Sequence, residues 1–192
     1  MTRPTLSQDA SDRQRLDVLL ADRRLAPSRA RARDAILRGH VEVDGVPATK
    51  PGQMVAPEAQ VVLSDPAMDY VSRAALKLEH GLDHFALDVA GRTALDIGAS
   101  TGGFTEVLLR RSVEHVIAID VGHDQLHPRL REDRRVTVIE GLNARNLNSD
   151  HLGGREVDLI VCDVSFISLR LALPAALSLA RSGAKGLFLV KP

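Results

Sequence analysis

Three side chains in this sequence have the type and the neighbours to move a proton or steady a charge: Lys77, Asp163 and Lys191. The chain of 192 residues uses arginine 21 times and lysine four times, at Lys50, Lys77, Lys185 and Lys191. Arginine keeps its proton at any useful pH, whereas a lysine amine can release one when burial or a second cation lowers its pKa. Lysines retained in so arginine-rich a chain therefore invite a chemical reason. Asp163 closes the apolar run Val157–Asp163, Lys191 follows the run Gly186–Val190, and Lys77 lies in a helical stretch further upstream. An acid and an amine at the same ends of two parallel strands would both overlook a ligand bound there.

The sharpest local signal is Asp96-Ile97-Gly98-Ala99-Ser100-Thr101-Gly102-Gly103-Phe104, which follows a strand and opens a helix. That is where a doubly wound sheet binds a nucleotide-like ligand. Gly98 and Gly102 let the backbone turn tightly and come close to it. Asp120 ends the next strand, where a carboxylate can accept hydrogen bonds from both ribose hydroxyls. The loop lacks the G-x-G-x-x-G spacing of dinucleotide sites and has no Walker lysine. With acids on both sides it suits a cationic adenosine ligand, and S-adenosylmethionine carries a sulfonium. The candidate cofactor residues are Asp96, Gly98, Ser100, Gly102, Gly103, Phe104 and Asp120. The plainer reading is an ordinary strand–turn–helix; strand, loop, helix and distal acid together favour the ligand.

Such residues need a scaffold that aligns strand ends. Strands Thr93–Ile97, Val116–Asp120, Val136–Ile139, Val157–Asp163 and Leu187–Val190 alternate with helices over 103–111, 124–131 and 169–181. Short apolar strands separated by helices predict an α/β fold, a parallel sheet covered on both faces. Another helix is expected over Ser72–Phe85, and Ser64–Tyr70 reads as a linker.

Ahead of that linker, residues 14–64 read as two helices on a small sheet. Leu16, Leu19 and Leu20 recur at helical spacing. Ser28 caps a helix over Arg29–Arg38 that Gly39 ends. Asp44-Gly45 between alternating valines marks a hairpin, Lys50-Pro51-Gly52 a turn and Gln60–Leu63 a strand. Six arginines fall between Arg23 and Arg38 against one acid, Asp34. Basic and acidic residues balance at 25 each, so the local patch, not net charge, points to nucleic acid. Arg29, Arg31, Arg33 and Arg38, extended by Lys50, could lie along a phosphate backbone. Such contacts position a partner without reading its sequence. A solvated amphipathic helix is the competing reading.

Hydrophobic residues make up 44% of the chain, enough for a real core, and Cys162 is the lone cysteine, which excludes an internal disulfide and a thiolate metal cluster. The histidine pairs His80/His84 and His123/His127 lack further zinc ligands, so no metal is expected. Ser165 has no evident histidine partner for a hydrolase triad. Residues 1–13 read as a polar, frayed tail with no signal peptide, and no run reaches the length that crosses a bilayer. The expectation is a soluble cytoplasmic protein.

Ser72-Arg73-Ala74-Ala75-Leu76-Lys77-Leu78, the run Leu95–Thr105, Asn143-Ala144-Arg145, Asp163-Val164-Ser165-Phe166-Ile167-Ser168 and Val190-Lys191-Pro192 come in order. Together they resemble the TlyA (haemolysin A-like) ribosomal RNA methyltransferases, a branch of the FtsJ-like 2′-O-methyltransferases. Arg15–Leu63 resembles the RNA-binding domain named after ribosomal small-subunit protein four. The resemblance implies a Rossmann-like S-adenosylmethionine-dependent methyltransferase domain over 71–192 behind an α+β RNA-binding domain over 14–64. It implies methylation of a ribose 2′-hydroxyl on cytidine, with ribosomal RNA or ribosomal subunits as partners and neither DNA nor membrane. It further implies a Lys-Asp-Lys-Glu tetrad in which Lys77, Asp163 and Lys191 match the first three members. The cofactor motif falls on Gly98, Gly102 and Asp120, with Asp163 over the ligand and Asn143 near the adenine. On this reading Lys191, depressed by neighbouring charge and burial, takes or polarises the hydroxyl proton. Asp163 and Lys77 orient it, and in-line positioning carries much of the rate.

The family's glutamate lies beyond the second lysine, and its members continue through further strands. This sequence stops at Pro192, which leaves Leu187–Val190 as an apolar edge strand; a degenerate protein or a second chain over that edge would account for it, and a fragment or truncated reading frame is the expectation. Two other activities compete: RNA binding without catalysis, and the membrane lysis that the haemolysin name suggests. For lysis the sequence offers no export signal, spanning segment or long basic amphipathic helix.

Overall fold

A computed structural model describes residues 12–165 and 167–191. Residues 1–11 of the expected tail, and Phe166 and Pro192 of the quoted motifs, lie outside the described residues. The chain divides into two compact units between Met68 and Asp69. Among the described residues no helix is long and apolar enough to cross a membrane.

In the first unit β1 (Gln14–Arg15) runs into α1 (Leu16–Asp22), and α2 (Arg29–Leu37) packs on it. The Ser28 hydroxyl caps α2 by accepting from the Arg31 N–H at 3.3 Å. β2 (Val41–Val43), β3 (Val46–Pro47) and β5 (Val61–Leu63) form an antiparallel sheet in the order β3-β2-β5. The β2–β3 hairpin turns through Asp44 and Gly45, both left-handed at φ 51° and 77°, as an Asp-Gly hairpin requires. Asp44 also clamps the chain entering β5, accepting at Oδ1 from the Gln60 N–H at 2.9 Å. β1 pairs with β4 (Met54–Val55), a ribbon too short to show alternation in the sequence. Leu16, Leu20, Ile36 and Val41 are fully buried in this unit's core. Ser64–Tyr70, expected to be a linker, includes the point where the chain divides into its two units. Pro66–Asp69 makes a 3-10 turn, and the Asp65 carboxylate is buried against both terminal nitrogens of Arg38.

The second unit is doubly wound. α3 (Ala75–His84) precedes β6 (Thr93–Ile97), α4 (Gly103–Arg110), β7 (His115–Ile119), α5 (Pro128–Arg131), β8 (Val136–Ile139), β9 (Val157–Cys162), α6 (Leu169–Leu179) and β10 (Ala180–Phe188). The five strands are parallel, in the order β10-β9-β6-β7-β8. Residues alternate between the faces. Ala94, Val116, Ala118, Leu159 and Val161 pack with α3 and α4, while Leu95, Ile97, Ile117, Ile119 and Ile160 pack with α6. From β6 the chain goes to β7 on one side and later to β9 on the other. A cleft opens beyond the carboxyl ends at this switch point.

Two elements differ from the sequence reading. α5 starts at Pro128, not at residue 124: Pro128 suits a first helical turn, and the backbone N–H groups of Asp124–Leu126 are captured by Glu140. His123 and His127 therefore do not share a helix, and His127 caps α5 instead. β10 begins at Ala180 within the expected helix and shifts register between Ala180 and Lys185, where Gly183 is left-handed at φ 81°.

Candidate active site

Gly98 makes the crossing of strand ends possible. Its φ is 81°, and a Cβ there would lie 3.1 Å from Val164 Cγ1 and 3.3 Å from the Asp163 carbonyl. Ser100 is also left-handed, at φ 47°, and its N–H donates to Asp120 Oδ2 at 2.8 Å. The second oxygen of Asp120 accepts from the Gly122 N–H at 2.7 Å. Both oxygens are thus fixed by backbone, and each keeps lone pairs for a ligand. Gly98, Ser100 and Asp120 line a cleft of about 790 Å³ that also touches Lys77, Asn143, Asp163 and Lys191. Asn143 Oδ1 accepts from the N–H and Nε of Arg145, capping a short 3-10 turn at the cleft wall.

Some expected cofactor residues serve beneath the cleft. Asp96 is fully buried and accepts from Thr105 Oγ1 at 2.7 Å, so it does not face a ligand directly. Burial pushes its carboxyl up to about 7; the bond from Thr105 opposes this, and the charges of Asp120 and Asp163 reinforce it. Gly102, at φ 100°, is a packing position, since a Cβ there would collide with Leu130 Cδ1 and lie 2.8 Å from Leu126 Cδ1. Gly103 lines the cleft and also lets α4 approach Ser72 and Ala74, within 3.1 and 3.2 Å of a built Cβ. Phe104 is a core residue, 3% exposed, whose edge reaches the cleft.

Lys77 from α3, Asp163 from the end of β9 and Lys191 beyond β10 converge, although 86 residues separate the first two. Lys77 Nζ lies 3.1 Å from Asp163 Oδ2, and Lys191 Nζ lies 2.6 Å from Oδ1. Lys191 also donates to the Val164 carbonyl at 3.0 Å and to Ser165 Oγ at 2.9 Å. The surroundings expected for Lys191 were neighbouring charge and burial. Its nearest groups are a carboxylate and two neutral oxygens, and its side chain is 36% exposed. Gly81 lets β10 approach α3, with Leu187 Cδ1 3.0 Å from a built Cβ.

The candidate RNA residues separate into two groups. Arg38 is tied to Asp65 and Asp34, and Arg31 donates to the Ala67 carbonyl. Both side chains thus have internal partners within the first unit. Arg29 shares the buried Asp17 with Arg15, at 2.9 and 3.0 Å, yet stays 59% exposed. Arg33 and Lys50 are exposed. Sequence reasoning missed Val121 and Leu142, apolar residues of the cleft wall beside Asp120. It also missed Glu106, a buried acid that binds Arg110, Arg129 and the Val71 N–H. No spacing rule marks such residues.

The sheet order, the glycine turn after its first strand and the acid after its second define a Rossmann-like domain of the methyltransferase class. The FtsJ-like methyltransferase family matches residues 70–192, and the S4 domain matches residues 14–61. The chain is 51% identical over 181 residues to the 16S/23S rRNA (cytidine-2′-O)-methyltransferase TlyA of Mycobacterium tuberculosis, covering 94% of this chain and 67% of that protein. Hemolysin A of Brachyspira hyodysenteriae is 41% identical over 160 residues, which is 83% of this chain and 66% of the relative. A solved structure of a protein provisionally called a hemolysin, from Streptococcus thermophilus, superposes with a TM-score of 0.68 at 38% identity, over 95% of this chain and 67% of that one. The chain therefore belongs to the FtsJ-like methyltransferases, in the TlyA family, and carries an S4 domain. It spans about two thirds of the length of these relatives.

Proposed function

We propose that this chain transfers a methyl group from S-adenosylmethionine to the ribose 2′-hydroxyl of a cytidine in ribosomal RNA, and docks RNA through its first unit. The observation that carries the reading is the Lys77–Asp163–Lys191 cluster in the same cleft as the glycine turn. The (cytidine-2′-O) specificity named for the Mycobacterium tuberculosis relative supports the choice of hydroxyl.

The cleft suits this cofactor by its own chemistry. Asp120 offers carboxylate lone pairs to ribose hydroxyls, with Val121 and Leu142 as apolar surface for a base beside it. Asp163 places negative charge near a sulfonium, and Asp96 Oδ1, buried without a hydrogen-bond partner, lies under the loop. Asn143 would lie at the adenine. S-adenosylmethionine, when bound, supplies an electrophilic methyl group. The protein's part is to hold the hydroxyl in line and to steady charge as its proton leaves. Lys77 and Lys191 bring two positive charges against the one carboxylate of Asp163, so negative charge growing on the ribose oxygen is favoured. Lys191 donates to two neutral oxygens and stands in ion-pair contact with Asp163, which suits holding positive charge beside the ribose oxygen, its proton passing to solvent, more than abstracting that proton. Lys77 makes one such contact among the described residues and keeps donors for the hydroxyl.

Mass mapping of ribose methylation on ribosomal RNA treated with the chain and S-adenosylmethionine tests the proposal. Lys77→Ala is expected to lower transfer by about 100-fold or more, with cofactor affinity nearly unchanged, and Asp163→Ala to lower it at least as much while also weakening cofactor binding. Methylation on a base, or full transfer by either variant, overturns it.

A further inference from the structure

We propose that Glu140 is a positioning residue for the cofactor side of this cleft, holding residues 122–127 in the shape that fixes Asp120 and presents Gln125. The inference rests on reading the cleft as an S-adenosylmethionine site. Glu140 follows β8 and is 12% exposed. Its Oε2 accepts from the Asp124 N–H at 2.9 Å, and its Oε1 accepts from the N–H groups of Gln125 and Leu126 at 3.0 and 3.3 Å. The Arg131 guanidinium closes the ring at 2.7 Å. Three consecutive backbone donors thus converge on one carboxylate, the arrangement of an anion nest filled by a side chain. Arg131 first, and then these N–H groups, hold the carboxyl well below its usual range, at about 2.

What the carboxylate holds is part of the cleft. Asp124 is left-handed at φ 53°, a conformation that aspartate enters more readily than most residues and that turns the segment toward Glu140. Next to it, Gln125 folds over Gly122, whose N–H fixes Asp120. The Leu126 side chain covers Gly102, and the His127 N–H donates to the Thr101 carbonyl at 3.1 Å. One segment therefore braces both the glycine turn and the ribose-side acid, and Glu140 is its acceptor. An amide at this position could accept through one end only, with its NH₂ directed at backbone N–H groups.

Titration of the full chain with S-adenosylhomocysteine by calorimetry, together with steady-state kinetics, tests this. Glu140→Gln is expected to weaken binding on the order of tenfold, the loss of about one charge-assisted hydrogen bond. It should raise KM for the methyl donor by a similar factor and leave KM for RNA and the saturated kcat unchanged. Asp133→Asn, which breaks a nearby acid–arginine pair outside the cleft, is expected to bind as the parent does. Should Glu140→Gln fail to fold, Arg131→Ala is expected to weaken binding a few-fold. Parental affinity in the folded Glu140 or Arg131 variant overturns the inference, as does an equal loss in Asp133→Asn. No binding by the parent chain overturns the reading of the cleft, and this inference with it.

Discussion

Asp96 and Asp17 are buried carboxylates in opposite company, so acid is expected to act on them in opposite senses. Asp17, in the first unit, is held at about 2, chiefly by its hydrogen bond from Arg15 and then by Arg29. In the unfolded chain it titrates near 4, roughly the ordinary value for aspartate. The stability it contributes is complete above that value and is lost as pH falls from about 4 to about 2. Asp96, raised to about 7 by burial, keeps its proton in the folded state where the unfolded chain has lost it. The second unit should therefore lose stability as pH rises from about 4 to about 7. Asp96→Asn is expected to flatten that slope, and Asp17→Asn the acid one. Urea unfolding at pH 3, 5 and 7, with a probe in each unit, checks both. Unchanged slopes in the two variants would refute the assignment.

The glycine turn shows how geometry at an element's start fixes what the element can touch. Gly102 caps α4 at φ 100°, and its bare Cα accommodates Leu126 and Leu130. Gly102→Ala is expected to cost about 1–2 kcal/mol from the left-handed backbone alone, and more if Leu130 cannot move. Thermal unfolding of the variant measures it. Parental stability would show that the turn relaxes freely. Much of this unit was legible in the sequence because β7 and β9 are buried on both faces and read as unbroken apolar runs. The start of β10 was hidden because Arg181–Lys185 is polar and pairs only after a register shift. The length of α5 was hidden because the residue that withholds its first turn, Glu140, is distant in sequence. In the site, Lys77, Asp163 and Lys191 stood out by residue type at strand and helix positions. Asp96 and Gly102 stood out equally and prove to support the loop from below, a distinction of depth that no linear pattern carries.

With basic and acidic residues balanced at 25 each, net charge alone gives RNA no pull, so the proposed affinity rests on local cations. Of the candidates, Arg38 and Arg31 are committed to internal acceptors, while Arg33 and Lys50 stand exposed. The two groups predict different phenotypes. Arg33→Ala or Lys50→Ala is expected to weaken binding to ribosomal RNA and to lower the slope of log affinity against log salt by about one. Unfolding free energy should stay within about 0.5 kcal/mol of the parent. Arg38→Ala leaves the Asp65 carboxylate buried without its guanidinium and is expected to cost about 3 kcal/mol. Its RNA affinity would then fall only as the first unit unfolds, with an unchanged salt slope in conditions where it stays folded. Filter binding over a potassium chloride series, paired with urea unfolding of each variant, separates the outcomes. Parental stability in Arg38→Ala with a reduced salt slope would make Arg38 a phosphate contact after all and would reverse the division drawn between these arginines.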